Sequence, residues 1–124
     1  MLQILAIAGG GALGALARFW MSTGIYGLLG KSFPWGTLAV NVLGSFVMGL
    51  LFVLFIERLA AAPEWRAAVL VGFLGAFTTF STFSNETLTL MEGGFLLKAL
   101  LNVSVSVLVC LLACWIGVIL GRSL

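Results

Sequence analysis

The chain contains no histidine, and only 8% of its 124 residues are Asp, Glu, Lys or Arg. The missing histidine removes the commonest proton relay and metal ligand. The shortage of charge excludes more, because a soluble domain carries about 25% charged residues to keep its surface wet. With 62% hydrophobic residues and a mean hydropathy of +1.25, this chain has no adequate polar surface, so its solvent is lipid. A net charge of +2 without a basic cluster excludes nucleic acid as a partner. The start, Met1-Leu2-Gln3-Ile4-Leu5, lacks the charged region of a secretory signal and its apolar run continues too far; a retained span is expected. There are only two cysteines, Cys110 and Cys114, at i,i+4 on one helical face. That spacing argues against a disulfide framework and for small packing residues rather than redox or metal chemistry. No His, Cys or carboxylate cluster offers an acid–base or nucleophile pair, so an enzyme is not expected.

What is present is apolar sequence in long runs. A spanning helix needs roughly 20 apolar residues. The expected architecture is an all-α integral membrane protein of one transmembrane domain, 1–124, with spans at about 2–29, 37–56, 67–91 and 95–120. The first span carries Gly9-Gly10-Gly11 and Gly14, small residues that let another backbone approach closely. Trp35 and Trp65 suit membrane interfaces. Four helices make a thin bundle, so an oligomer is expected.

Orientation follows the excess of Lys and Arg on cytoplasmic loops. Four spans put Arg58, Arg66 and Arg122 on one side, against Lys31, Lys98 and, if it reaches that interface, Arg18 on the other. The bias is close to zero. That predicts dual topology, with two inverted copies forming an antiparallel homodimer.

The third span departs from the pattern of a spanning helix. Five of the seven residues from Thr78 to Ser84 carry hydroxyls, which compete with the helix ladder for backbone groups. Gly72 and Gly75 lower the cost of leaving helical geometry. Non-helical backbone at membrane depth survives only inside protein or along a water-filled path, so a functional break is expected here. Its freed carbonyls could coordinate a small cation. Phe73, Phe77, Phe80 and Phe83 recur at spacings of four, three and three, which alone reads as an apolar helix face. The interleaved hydroxyls favour a second reading, in which positive ring edges and hydroxyls surround a small anion. Asn41 is a mid-span amide, costly unless partnered: it either hydrogen-bonds another helix or offers its NH2 to a dehydrated anion. Arg18 and Glu86 are candidates for a pore mouth, or simply snorkel to the interface.

The run Gly72-Phe73-Leu74-Gly75-Ala76-Phe77-Thr78-Thr79-Phe80-Ser81-Thr82-Phe83-Ser84 resembles the signature of the Fluc (CrcB) fluoride channels. So do Gly36-Thr37-Leu38-Ala39-Val40-Asn41 and Gly14-Ala15-Leu16-Ala17-Arg18. The resemblance extends over the whole chain. It implies an antiparallel homodimer with two fluoride pores in the bacterial cytoplasmic (inner) membrane. It also implies a structural sodium ion at the dimer centre, held by the backbone carbonyls of Gly75 and Thr78. Asn41, Phe80 and Phe83 correspond to pore residues; Ser81, Thr82, Thr37 and Ser106 correspond to polar pore or near-pore positions. One departure is that Cys110 and Cys114 stand where family members often carry hydroxyls, and thiols are weaker donors.

Two rival functions remain open on sequence. A small multidrug antiporter needs an intramembrane carboxylate, and only Glu86 qualifies. A non-transporting scaffold would use the packing glycines but not the hydroxyl-rich span. The balanced charge makes a direct prediction: tags on the chain termini are reached by an impermeant label from both sides of the membrane, and labelling from one side only would rule out dual topology.

Overall fold

The structure is a computed structural model that describes every residue, Met1–Leu124. Four helical spans are long and apolar enough to cross a membrane: Leu2–Leu29, Trp35–Arg58, Pro63–Glu92 and Leu96–Ser123. The third is interrupted. We number its halves separately, so that α1 is Leu2–Leu29, α2 Trp35–Arg58, α3 residues 63–77, α4 Phe80–Glu92 and α5 Leu96–Ser123.

Local chemistry sets these limits. α1 stops at Gly30, whose φ of 81° favours glycine and whose N–H bonds Tyr26 O at 2.9 Å. Pro63 opens α3 at a position where its missing N–H costs nothing. Gly94, at φ 84°, makes the turn into α5. The last three spans begin or end a few residues beyond the apolar runs, because Trp35, Pro63, Arg58 and Ser123 extend the helices to the interface. Two stretches the apolar pattern does not reveal are wound as π-helix, with i→i+5 bonding: Val53–Arg58 in α2 and Ala67–Leu74 in α3.

The helices pack mainly in two pairs, α1 on α3 and α2 on α5. Both pairs meet through glycine. A methyl group on Gly14 would overlap the Phe73 backbone, one on Gly49 the Cys114 carbonyl, and one on Gly117 the Phe46 carbonyl. Backbones therefore touch, which is how membrane helices gain van der Waals attraction when lipid supplies no hydrophobic drive. Gly72 serves this packing against Ile7 and Gly11 and does not itself break the helix. Only 20 of 124 residues are buried, and large side chains such as Trp20, Leu108 and Trp115 point outward, as lipid permits.

The two ends of the bundle differ. At one, Arg122 pairs with Glu57 at 3.0 Å, and Arg58 donates to the carbonyls of Arg122 (3.1 Å) and Leu124 (2.7 Å). At the other, Lys98 Nζ donates to Ser32 O at 3.2 Å. Gly14→Val is expected to destabilise the protein by about 1–3 kcal/mol, the usual cost of overpacking. Gly9→Val, where nothing lies within 4 Å, should leave it nearly unchanged; thermal unfolding in detergent compares the two.

Candidate functional site

The helix break falls at Thr78 and Thr79, both in extended conformation (ψ 158° and 122°). Asn41 on α2 holds it. Its Nδ2 donates to Thr79 O at 3.0 Å, and Thr79 N–H donates to its Oδ1 at 2.8 Å. The side-chain amide thus stands in for a peptide group and satisfies both backbone atoms of the break residue. Thr79 Oγ1 in turn accepts the Thr82 N–H at 3.1 Å and caps α4.

These bonds leave two carbonyls without their helical donors. In an unbroken helix Gly75 O would receive the Thr79 N–H, which goes to Asn41, and Thr78 O would receive the Thr82 N–H, which goes to Thr79 Oγ1. The carboxyl end of α3 therefore presents bare, partly negative oxygens. The amino end of α4 begins at the same place with the opposite polarity. A broken spanning helix with facing ends of opposite sign suits a cation on one side and an anion on the other.

A cavity of about 410 Å³ opens beside the break. Asn41, Thr78, Thr79, Phe80, Phe83 and Ser106 line it around the break, and the rest of its wall includes Ser45, Met48, Val107, Cys110, Leu111 and Cys114. No charged residue contributes to its wall. The break divides the phenylalanine row into two pairs. Phe73 and Phe77 stack at 6.0 Å between ring centres, and Phe77 is buried. Phe80 and Phe83 meet at 5.4 Å with their planes 49° apart and face the cavity, Phe83 buried and Phe80 77% exposed.

Ser106 connects the cavity to a buried relay. Its hydroxyl donates to Asn102 Oδ1 (3.3 Å), Asn102 Nδ2 donates to Thr87 Oγ1 (2.8 Å), and Thr87 donates to Phe83 O (2.7 Å). A second polar cluster lies toward the Lys31 end. The Tyr26 hydroxyl donates to Glu86 Oε2 and shares a bond with Thr37 Oγ1 at 3.1 Å. Tyr26 and Glu86 also line a cleft of about 290 Å³ that includes Lys31. The second oxygen of Glu86, Oε1, is buried without a partner.

Of the residues singled out from sequence, Asn41, Thr78, Phe80, Phe83 and Ser106 meet in one cavity, and Gly75 lies three residues before Thr78 at the end of α3. Thr37 and Glu86 sit in the Tyr26 cluster instead. Ser81 and Thr82 are exposed outside the cavity wall; Ser81 Oγ lies 3.4 Å from Thr79 Oγ1. Arg18 is half-buried on α1 and forms no ion pair. Sequence reasoning passed over Tyr26, Thr87 and Asn102. Asn102 carries the same signal as Asn41, an amide within a span, and is 2% exposed.

Comparison with known proteins places this architecture. A protein of Methylococcus capsulatus named "fluoride-specific ion channel FluC" is 65% identical over 123 residues, 99% of this chain and 54% of that relative; the chain thus spans about half of that relative's length. Proteins of the same name from Magnetococcus marinus (57% identical over 121 residues, 98% of each chain) and Geobacter sulfurreducens (48% over 124 residues, 100% of each) match at full length. The family model described as "CrcB-like protein, Camphor Resistance (CrcB)" matches residues 5–118, and the chain belongs to the CrcB family.

Proposed function

We propose that the chain is a fluoride-selective ion channel that lets fluoride leave the cytoplasm passively and so protects the cell from fluoride toxicity. It is a multi-pass membrane protein and a channel rather than an enzyme. The observation that carries this reading is the uncharged cavity at the helix break, in a chain whose relatives are named for fluoride.

Fluoride is small and strongly hydrated, so losing water is its main barrier. A pore must replace that water with donors strong enough to admit the ion and weak enough to release it. The cavity offers such donors. The Asn41 nitrogen carries two hydrogens; Thr79 O takes one, and the other remains for an anion. The edges of Phe80 and Phe83 add partial positive charge, and the α4 amino terminus adds more. Ser106 can turn its hydroxyl from Asn102 to the ion. Ser81 and Thr82, exposed on this chain, meet the path only where a second copy covers them. Thr37, Glu86 and Arg18 belong to the approach rather than to the dehydrated stretch.

The finer assembly belongs to the same proposal: an antiparallel homodimer in the bacterial inner membrane, with two pores and one sodium ion at its centre. The near-zero charge bias and the exposed Phe80 support a second copy on this face. The bare carbonyls of Gly75 and Thr78 fit sodium in kind, because hard cations take oxygen donors. Two from each copy would hold the ion, which would offset the converging carbonyl dipoles and brace the two broken helices.

Fluoride efflux from proteoliposomes, with and without sodium, tests the reading. Fluoride should leave rapidly and chloride scarcely at all, and prolonged sodium removal should reduce the flux; equal passage of chloride would defeat the selectivity, and proton-coupled export of an organic cation would favour the antiporter. Asn41→Asp should lower fluoride flux at least about tenfold, equivalent to roughly 1.4 kcal/mol on the barrier. The carboxylate cannot donate to Thr79 O and sets a negative charge in the path. Unchanged flux would remove Asn41 from the pore.

A further inference from the structure

The proposed pathway leaves part of the cavity wall unused. Beyond the break, toward the Arg58 and Arg122 end, three sulfurs join Ser45, Val107 and Leu111 in the wall: Met48 on α2, and Cys110 and Cys114 on α5. The thiols are i,i+4 neighbours, whose Cβ atoms stand about 5–6 Å apart on one face. Met48 comes to their level because the next residue, Gly49, seats directly on the Cys114 backbone. Both cysteines are free and half-buried. They are the chain's only two thiols, there is no histidine, and of the four methionines Met48 alone lines this space.

Thiol and thioether sulfur select soft cations. Zinc prefers four ligands, and no group of three or more His, Cys, Asp or Glu exists anywhere in the chain. A monovalent soft ion, which is satisfied by two or three sulfurs, matches what is present.

We propose that Met48, Cys110 and Cys114 form a binding site for soft monovalent metal ions, copper(I) or silver(I), and that a bound ion closes the cavity to fluoride. The blocking half of this rests on the channel reading above; the binding half does not. Each thiol that binds the metal as thiolate gives its proton to water. One thiolate leaves the site neutral, and two leave it with one net negative charge. The metal shares the cavity with Ser106 and Phe83, at least one helical turn beyond Ser106 on α5, and in the doubly deprotonated form its charge repels an anion across a low-dielectric wall that holds no compensating cation.

The test uses silver nitrate in chloride-free buffer on proteoliposomes loaded with fluoride. Low micromolar silver should slow efflux at least tenfold, and an excess of a small thiol should restore it. The Cys110→Ser, Cys114→Ser double variant, measured against its own silver-free rate, should show no slowing, and Met48→Leu should need more silver. Calorimetry in detergent should find one silver ion bound per chain with proton release, lost in the double variant. Efflux indifferent to silver, or equal slowing in the double variant, would overturn the block, and absence of stoichiometric binding would overturn the site. If the double variant does not fold, Cys114→Ala alone provides the comparison. If the protein passes no fluoride even without silver, the channel reading fails instead, and the calorimetry still decides the site.

Discussion

The structure turns on one side chain doing the work of a peptide bond. A backbone N–H or C=O left bare in hydrocarbon costs several kcal/mol, so a spanning helix cannot simply stop and restart. Asn41 removes that penalty at Thr79 by accepting from its N–H and donating to its carbonyl. Thr79, held extended, is then free to cap α4 through its hydroxyl. The Thr79 N–H bond to Asn41 strips Gly75 O of its donor, and the Thr82 N–H bond to Thr79 Oγ1 strips Thr78 O of its donor and starts α4 beside the cavity. The opposed polarities at the break and the placement of Phe80 and Phe83 follow from this substitution of an amide for a peptide.

Elsewhere the chain handles polarity in the same way, with neutral groups in short relays. Ser106, Asn102 and Thr87 satisfy one another and end on the Phe83 carbonyl. Several hydroxyls after the break bond back to the carbonyl four residues earlier: Ser84 to Phe80, Thr87 to Phe83 and Thr89 to Asn85. These bonds let a run of hydroxyls remain helical in lipid. Apart from Arg18 on α1, formal charge is kept to the ends of the bundle and to the Tyr26 cluster, where Glu86 lies. A dehydrated ion in the cavity therefore meets dipoles and ring edges, none of which can hold it as a full charge would.

Rigidity comes from backbone contact. α1 on α3 and α2 on α5 meet through glycines with no room for a methyl group, so neither pair can slide without a clash. Gly44 on α2, where a methyl group would overlap the Thr78 side chain, seats Asn41 against the break. The frame also fixes Gly49 against Cys114, which sets Met48 beside the thiols. The cavity is thus bounded on two sides by helices whose separation is already at its minimum.

Much of this was legible in the residues. Apolar runs separated by Trp, Pro, Gly and charge specify four crossings, because bilayer thickness dictates the length of a span. The hydroxyl density between Thr78 and Ser84 marked the break, since such side chains compete locally for backbone groups. Asn41 stood out because a lone amide in lipid demands partners. Its sequence could not say which partners, and both readings of it are compatible with the fold: one amide hydrogen is spent on Thr79, the other remains. Only the tertiary structure decided that Thr37 joins Tyr26 and Glu86 while Ser106 joins Phe83, that two stretches wind as π-helix, and that the sulfurs share the cavity with the phenylalanines. Those facts depend on how helices far apart in the chain are rotated and seated against each other. The period of a single helix carries information about its own faces, and none about which neighbour each face will meet.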